Sequence, residues 1–362
     1  MPAGSERSPE YWSVSDFDYE LPHERIAQVP LVDRTASRLM VVHPGSSVVE
    51  HSFVRDLGHW LRPGDLLVAN DSRVIPARLY GVKTDSGGSV ELLLLTEHEP
   101  GVWSAMARPA RSLRSGRRVR LTPREPGAPG IELTVLSQEG DGILRVAFEE
   151  GWTPGLERYG EMPLPPYISE TLQDRDRYQT TYAARAGSAA APTAGLHFTP
   201  ELINSLRRQG IGWATITLHV GLDTFRPVMV EHVRDHRMHA EWCEVSDTTA
   251  ASIAETKKAG GRVVAVGTTA ARTLETWGQT ADVFHPRGVA TDTSIFITPG
   301  YRWTVVDALL TNFHLPKSTL LMMVSALAGR ETILAAYATA VEAGYRFFSF
   351  GDAMLIIPEE HD

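Results

Sequence analysis

Between residues 81 and 148, apolar and polar positions alternate over short spans separated by turns. Residues 90–96, 103–107, 118–121, 131–137 and 143–148 each read as a strand, most plainly where Val119 and Leu121 alternate with Arg118 and Arg120. Stretches rich in Gly and Pro at 123–130 and 139–142 supply turns. Short strands at this spacing predict a small antiparallel barrel or sandwich. The rest of the chain alternates longer units. Residues 213–220, 262–267, 303–310 and 345–350 read as strands, while 248–259, 270–277, 318–327 and 331–343 read as helices, the first capped by Asp247. Strand–helix alternation predicts an α/β (α+β) domain with reactive residues on loops at one end of its sheet. The expected division is 15–72 plus 150–362 for this domain, with 73–149 inserted as the small barrel. A polar N-terminal extension, 1–14, is expected to be disordered.

Composition narrows the class. The 362 residues are 43% hydrophobic, and the longest apolar run, 320–328, is shorter than the ~18 residues a bilayer span needs. It reads as a buried helix. The N-terminus, with Glu6, Arg7 and Glu10, has no apolar core of a signal peptide. A single cysteine, Cys243, excludes an intrachain disulfide and thiolate metal clusters. A cytoplasmic, monomeric protein without membrane contact is expected. The net charge of −9 argues against nucleic acid, but its distribution does not. Arg108, Arg111, Arg114, Arg117, Arg118, Arg120 and Arg124 fall in one stretch with no acidic residue. Such a run reads as a nucleic-acid contact in preference to a merely solvated face.

The segments from Met162 to Val228 are rich in Pro, Gly, Thr, His and aromatics and lack apolar periodicity. That composition gives shaped loops that hold polar groups in place. The motifs PLPPYI (163–168), APTAGLHF (191–198), LHVGLDTFRPV (218–228), HRMHAE (236–241), AVGTT (265–269), TNFHLPKST (311–319) and YRFFSFGDAM (345–354) resemble the S-adenosylmethionine:tRNA ribosyltransferase-isomerase family of queuosine biosynthesis. DFDYELP (16–22) and NDSRVIPAR (70–78) fit the same family, so the resemblance covers nearly the whole chain. It implies a larger α/β-barrel-like domain carrying a small antiparallel β-barrel. It also implies a reaction in which the ribosyl part of S-adenosylmethionine, a co-substrate, moves to 7-aminomethyl-7-deazaguanine at the tRNA wobble position. Rearrangement gives epoxyqueuosine, with adenine and methionine released and no metal required. Where family members commonly carry glycine before Thr-Phe, this chain has Asp223.

Such chemistry needs a base for an acidified C5′ proton, an acid for departing adenine and a neutral attacking amine; histidines and carboxylates are the usual agents. The catalytic candidates are His197, His219, His236, His239, Glu241, His314 and Asp352. His197 and His219 read either as site groups or as structural loop and strand-end histidines. His236, His239 and Glu241 form H-x-x-H-x-E, an acid/base or adenosyl-binding set, with a metal site the minor alternative because the spacing is rare for zinc. Asp352 reads as a base, a ribose-hydroxyl ligand or a turn aspartate. Substrate-binding candidates are Thr193, Gly195, Asp223, Thr224, Arg226, Asn312 and Arg73, together with Gly267, Thr268 and Thr269, where a strand meets a helix whose free N–H groups suit a carboxylate or phosphate. Simple capping by either threonine is the alternative. Arg108, Arg111, Arg114, Arg117, Arg118 and Arg120 are the tRNA-binding candidates. No G-x-G-x-x-G or Walker motif is present. Two competing readings remain: a methyltransferase acting on RNA, told apart by its S-adenosylhomocysteine product, and a non-catalytic RNA-binding protein, which leaves the His-, Thr- and Asn-bearing loops unexplained.

Overall fold

The computed structural model describes residues 12–140, 142–149, 156–170, 172, 174–221, 228–280 and 286–359. The chain opens with β1 (Arg38–Val42), β2 (Val49–Phe53), β3 (Leu66–Asn70) and β4 (Ser72–Val74). Then come β5 (Arg78–Lys83), β6 (Ser89–Glu99), β7 (Val102–Arg108), β8 (Arg118–Leu121), β9 (Glu132–Gly140) and β10 (Ile143–Phe148). These six close into an antiparallel barrel in the order β10-β7-β6-β5-β8-β9. Alternation drives the closure: Val90, Leu92 and Leu94 of β6, and Val119 and Leu121 of β8, point inward to one apolar cluster while Arg118 and Arg120 point out.

After the short helix α1 (Leu156–Tyr159) the chain forms β11 (Arg185–Ser188), α2 (Pro200–Arg208), β12 (Gly212–Leu218) and β13 (Glu241–Val245). Next are α3 (Asp247–Lys258), β14 (Val263–Val266), α4 (Thr268–Gly278), β15 (Val289–Thr293) and β16 (Ala308–Asn312). Last come α5 (Thr319–Ala328), α6 (Arg330–Glu342) and β17 (Ala353–Ile356). A nine-stranded mixed sheet runs β15-β13-β12-β3-β14-β16-β17-β1-β2, and β4 pairs separately with β11. Every residue of β3 is buried, and its side chains alternate between two clusters: Leu66 and Val68 in one, Leu67 and Ala69 in the other. Covering both faces is what permits a central strand so uniformly apolar. Strands β12, β3, β14 and β16 are parallel, whereas β17 is antiparallel to β16. The carboxyl ends of the first four and the start of β17 therefore lie along one edge.

Four local expectations change. Residues 345–350 are not a strand: Phe348 has φ 69°, and Gly351 N–H donates to its carbonyl at 2.8 Å. The aromatic-rich segment is buried by packing on irregular backbone, which mimics a strand in composition. The strand expected over 303–310 begins only at Ala308, because the buried Glu275 carboxylate accepts the N–H groups of Thr304, Val305 and Val306 at 2.8–2.9 Å. The cap of α3 is Ser246, whose hydroxyl accepts Thr249 N–H at 3.2 Å; Asp247 instead accepts Gly288 N–H at 2.7 Å. Of the extension expected to be disordered, residues 1–11 lie outside the described set, but Ser13 bridges His232, Val14 is buried and Trp12 packs on Phe17.

Candidate active site

The edge where the strands end is organised by two asparagines. Asn70 closes β3: its amide pairs with both backbone groups of Leu218, at 2.9 and 3.0 Å, and reaches Thr269 Oγ1 at 3.3 Å. One side chain thus ties β3, β12 and the start of α4 together. Asn312 closes β16. Its Oδ1 accepts from Thr193 Oγ1 at 2.9 Å, and its Nδ2 lies 3.3 Å from His197 Nε2 and 3.4 Å from the Asp352 carbonyl. Three motifs far apart in sequence meet on that amide. Around it opens a cavity of about 100 Å³ lined by Thr193, Thr268, Thr269, Asn312, His314 and Ser349, with apolar wall from Tyr167, Phe313 and Phe348. Tyr167 packs on Phe348 at 4.7 Å between ring centroids and shares a 2.7 Å hydrogen bond with Ser349 Oγ. Phe348 holds a left-handed backbone conformation at this wall, a form of strain that concentrates at functional sites.

Gly267 precedes α4 with φ 90°, a conformation open to glycine, and its N–H is spent on the Leu310 carbonyl at 2.7 Å. It does not bind a ligand through that N–H; it turns the chain so that the first turn of α4, with free N–H groups, faces the cavity. Gly195 is glycine for a different reason. A Cβ there would collide with the Tyr182 hydroxyl and sit 2.9 Å from Thr180 Cγ2. It shapes the APTAGLHF turn and is absent from the cavity lining.

Burial pulls the His197 pKa from 6.5 down to about 4 and that of His314 to about 3, so both rings are neutral at physiological pH. His314 Nε2 sits 3.0 Å from Thr311 Oγ1, and the His314 backbone N–H donates to Tyr337 Oη at 3.0 Å. The other catalytic candidates are not gathered at the cavity. Asp352 is buried, but its carboxylate accepts Arg38 N–H at 3.0 Å and Arg346 N–H at 2.8 Å. Glu241 is ion-paired with Arg272 and accepts Gly221 N–H at 2.8 Å. His219 stacks on Trp242 at 5.1 Å, and burial followed by the Arg185 charge depresses its pKa. His236 packs edge-on to Phe296, with its pKa lowered by burial and then by His239, which is itself exposed. H-x-x-H-x-E is therefore split rather than convergent, because β13 begins only at Glu241. Among the described residues no group of three or more His, Cys, Asp or Glu is placed to hold a metal ion. Arg73 is exposed on β4. Asp223, Thr224 and Arg226 lie outside the described residues.

Sequence reasoning missed the residues that hold these loops. Gln179 bonds both backbone groups of Val74, at 2.7 and 3.1 Å, like a strand of one residue. Arg34 donates to the carbonyls of Leu196 and Asp176, each at 2.9 Å, and Gln28 donates to that of Tyr167 at 2.9 Å. Their only sequence signal is a polar residue amid motif loops, which does not name a partner.

The family model for a queuosine biosynthesis protein matches residues 14–356. This chain belongs to the queuosine biosynthesis protein family. It is 52% identical over 345 residues to the S-adenosylmethionine:tRNA ribosyltransferase-isomerase of Moorella thermoacetica, covering 95% of this chain and 99% of that one. It is 50% identical over 347 residues to the enzyme of the same name from Staphylococcus epidermidis, covering 95% and 100%. Among solved structures it is similar to an S-adenosylmethionine tRNA ribosyltransferase from Thermotoga maritima, with a TM-score of 0.55 at 38% identity over 95% of this chain and 100% of that one. The family match takes in both the barrel and the large sheet, so the two occur together in the family rather than as a joining peculiar to this chain.

Proposed function

We propose that this chain transfers the ribosyl part of S-adenosylmethionine to 7-aminomethyl-7-deazaguanine at the tRNA wobble position and isomerises it, giving epoxyqueuosine-tRNA, adenine and methionine. One observation carries the reading: motifs spread over more than a hundred residues of a family member converge, through Asn312, on one cavity at the strand ends. Residues 15–72 and 150–362 form the catalytic unit in this reading, and 73–149 the unit that holds tRNA. The enzyme works as a cytoplasmic monomer.

The cavity's chemistry fits a sulfonium nucleoside. No carboxylate lines it among the described residues, and His314 in its wall is neutral, as is His197 beside Asn312, so the positive sulfur meets aromatic faces and hydroxyls. Its volume lies below the ~300 Å³ at which ligand pockets begin. It therefore holds one part of the substrate, with the remainder extending outward past Val220 and Gly221, where Asp223, Thr224 and Arg226 follow in sequence. Thr193 and Asn312 suit ribose hydroxyls, and the first turn of α4 suits the methionine carboxylate. His197 and His314, with such low pKa values, serve as hydrogen-bonding groups rather than proton carriers at neutral pH. Incubating the protein with S-adenosylmethionine and precursor tRNA, then resolving products by mass spectrometry, tests the reading. Adenine, methionine and a heavier wobble nucleoside are expected. S-adenosylhomocysteine would move the assignment to methyl transfer.

A further inference from the structure

A second and larger cleft, about 630 Å³, lies between the barrel and the PLPPYI segment. It breaks the barrel's own pattern. On β6 and β7 the inward side chains are Val90, Leu92, Leu94, Trp103, Ala105 and Ala107, yet two outward positions, Leu93 and Met106, are also apolar and face each other in register. Across the cleft stand Pro165, Pro166 and Ile168. An outward apolar pair opposite a proline wall makes a slot with two apolar sides. Its rim is charged. Arg108, Arg124 and Arg175 line the cleft with no carboxylate bonded to any of them among the described residues; burial and then the Arg124 charge disfavour the charge on Arg175, while Glu161 and Glu157 favour it. Arg78, in contrast, is paired with Glu91 at 3.5 Å. Glu161 and Glu170 add hydrogen-bond acceptors to the lining.

The cleft also shares a wall with the catalytic cavity. Tyr167 faces the cavity, while its neighbours Pro166 and Ile168 face the cleft. Whatever lies in the cleft is thus separated from the cavity by the thickness of one loop.

We infer that this cleft is a nucleotide subsite: it takes an unpaired nucleotide of the tRNA anticodon loop beside the modified base, with the base between Leu93–Met106 and Pro165–Pro166 and the phosphate on Arg108 and Arg124. Three features favour RNA over another partner. The slot has two apolar walls, as a base requires, Arg108 and Arg124 carry no carboxylate pair among the described residues, as a phosphate requires, and the neighbouring cavity lies one loop away, as an adjoining nucleotide requires. The inference rests on the proposed tRNA reaction for the identity of the RNA.

Binding of a fluorescently labelled anticodon stem-loop carrying 7-aminomethyl-7-deazaguanine, followed by anisotropy against salt concentration, tests it. The full-length chain is compared with the double variant Arg108→Ala, Arg124→Ala, with Leu93→Trp, which fills the slot without changing charge, and with Arg208→Ala at the exposed end of α2 as a control for loss of an arginine elsewhere on the surface. The double variant is expected to bind about tenfold or more weaker, with a salt slope smaller by roughly one to two. Leu93→Trp is expected to bind about tenfold weaker at unchanged slope, and Arg208→Ala to match the parent. Affinity and slope within about twofold of the parent for both cleft variants would overturn the subsite. Adenine release by the parent, measured in the same preparations, reports on the reaction alone: binding lost in the variants without adenine release leaves the subsite standing and the reaction reading fallen, and the converse separates them the other way.

Discussion

Asn312 does at the scale of one residue what the motifs do at the scale of the chain. Its amide is shared among Thr193, His197 and the Asp352 backbone, so Asn312→Ala leaves two buried polar groups and the half-buried Thr193 hydroxyl short of a partner. We expect a loss of roughly 1–3 kcal/mol in urea unfolding and a fall of about tenfold to a hundredfold in kcat/KM, measured by adenine release. The buried histidines predict a pH response of definite sign. Their folded pKa values, about 4 for His197 and about 3 for His314, lie below the ordinary 6.5. As pH falls below 6.5 the unfolded chain takes up protons that the folded chain refuses, so stability falls, by up to about 1.4 kcal/mol per pH unit for each ring, until the folded pKa is reached. Above 6.5 neither ring contributes any slope. His314→Gln should flatten part of that acid limb in melting curves between pH 7 and pH 4; an unchanged limb would contradict the burial of a neutral ring.

At the scale of elements, regular helices were legible and irregular segments were not. The helix expected over 248–259 is α3 (Asp247–Lys258), and that over 318–327 is α5 (Thr319–Ala328), because caps and apolar spacing are local signals. The wrong cap at Asp247 shows the limit. Ser246 and Asp247 are both good capping types, and only the position of Gly288 decides which carboxylate or hydroxyl is engaged elsewhere. Ser246→Ala should cost about 1 kcal/mol without changing turnover. Glu275→Ala should cost more, roughly 3–5 kcal/mol, because a fully buried carboxylate that accepts from Thr304, Val305, Val306 and Tyr301 is what holds the chain between α4 and β16. Chemical denaturation of the two variants side by side checks the order.

At the scale of the whole molecule the arginine run is less basic than its sequence. Strand pairing sets Arg118 and Arg120 against Glu132 at 3.1 and 2.8 Å, sets Arg118 against Glu149 at 2.8 Å, and pairs Arg117 with Asp85. Arg111 and Arg114 are exposed and carry no such pair among the described residues. Neutralising these two should reduce the salt slope of tRNA binding by roughly one to two, whereas Arg118→Ala and Arg120→Ala should change it less; filter binding across a salt series distinguishes them. Equal effects from all four would mean that the ion pairs open when tRNA binds.

The inserted antiparallel barrel, the α/β character of the rest and the family were readable from the residues alone, because alternation, capping and motif order are properties of neighbours in the chain. Only the tertiary structure decided which candidate residues share a site. Thr193, Thr268, Thr269, Asn312 and His314 face one cavity, while Glu241 and Asp352, equally acidic in sequence, are occupied by Arg272 and by the backbone N–H groups of Arg38 and Arg346. A buried carboxylate takes whatever donor the packing brings to it: for Glu241 that donor lies 31 residues away, and for Asp352 one lies 6 residues away and the other 314.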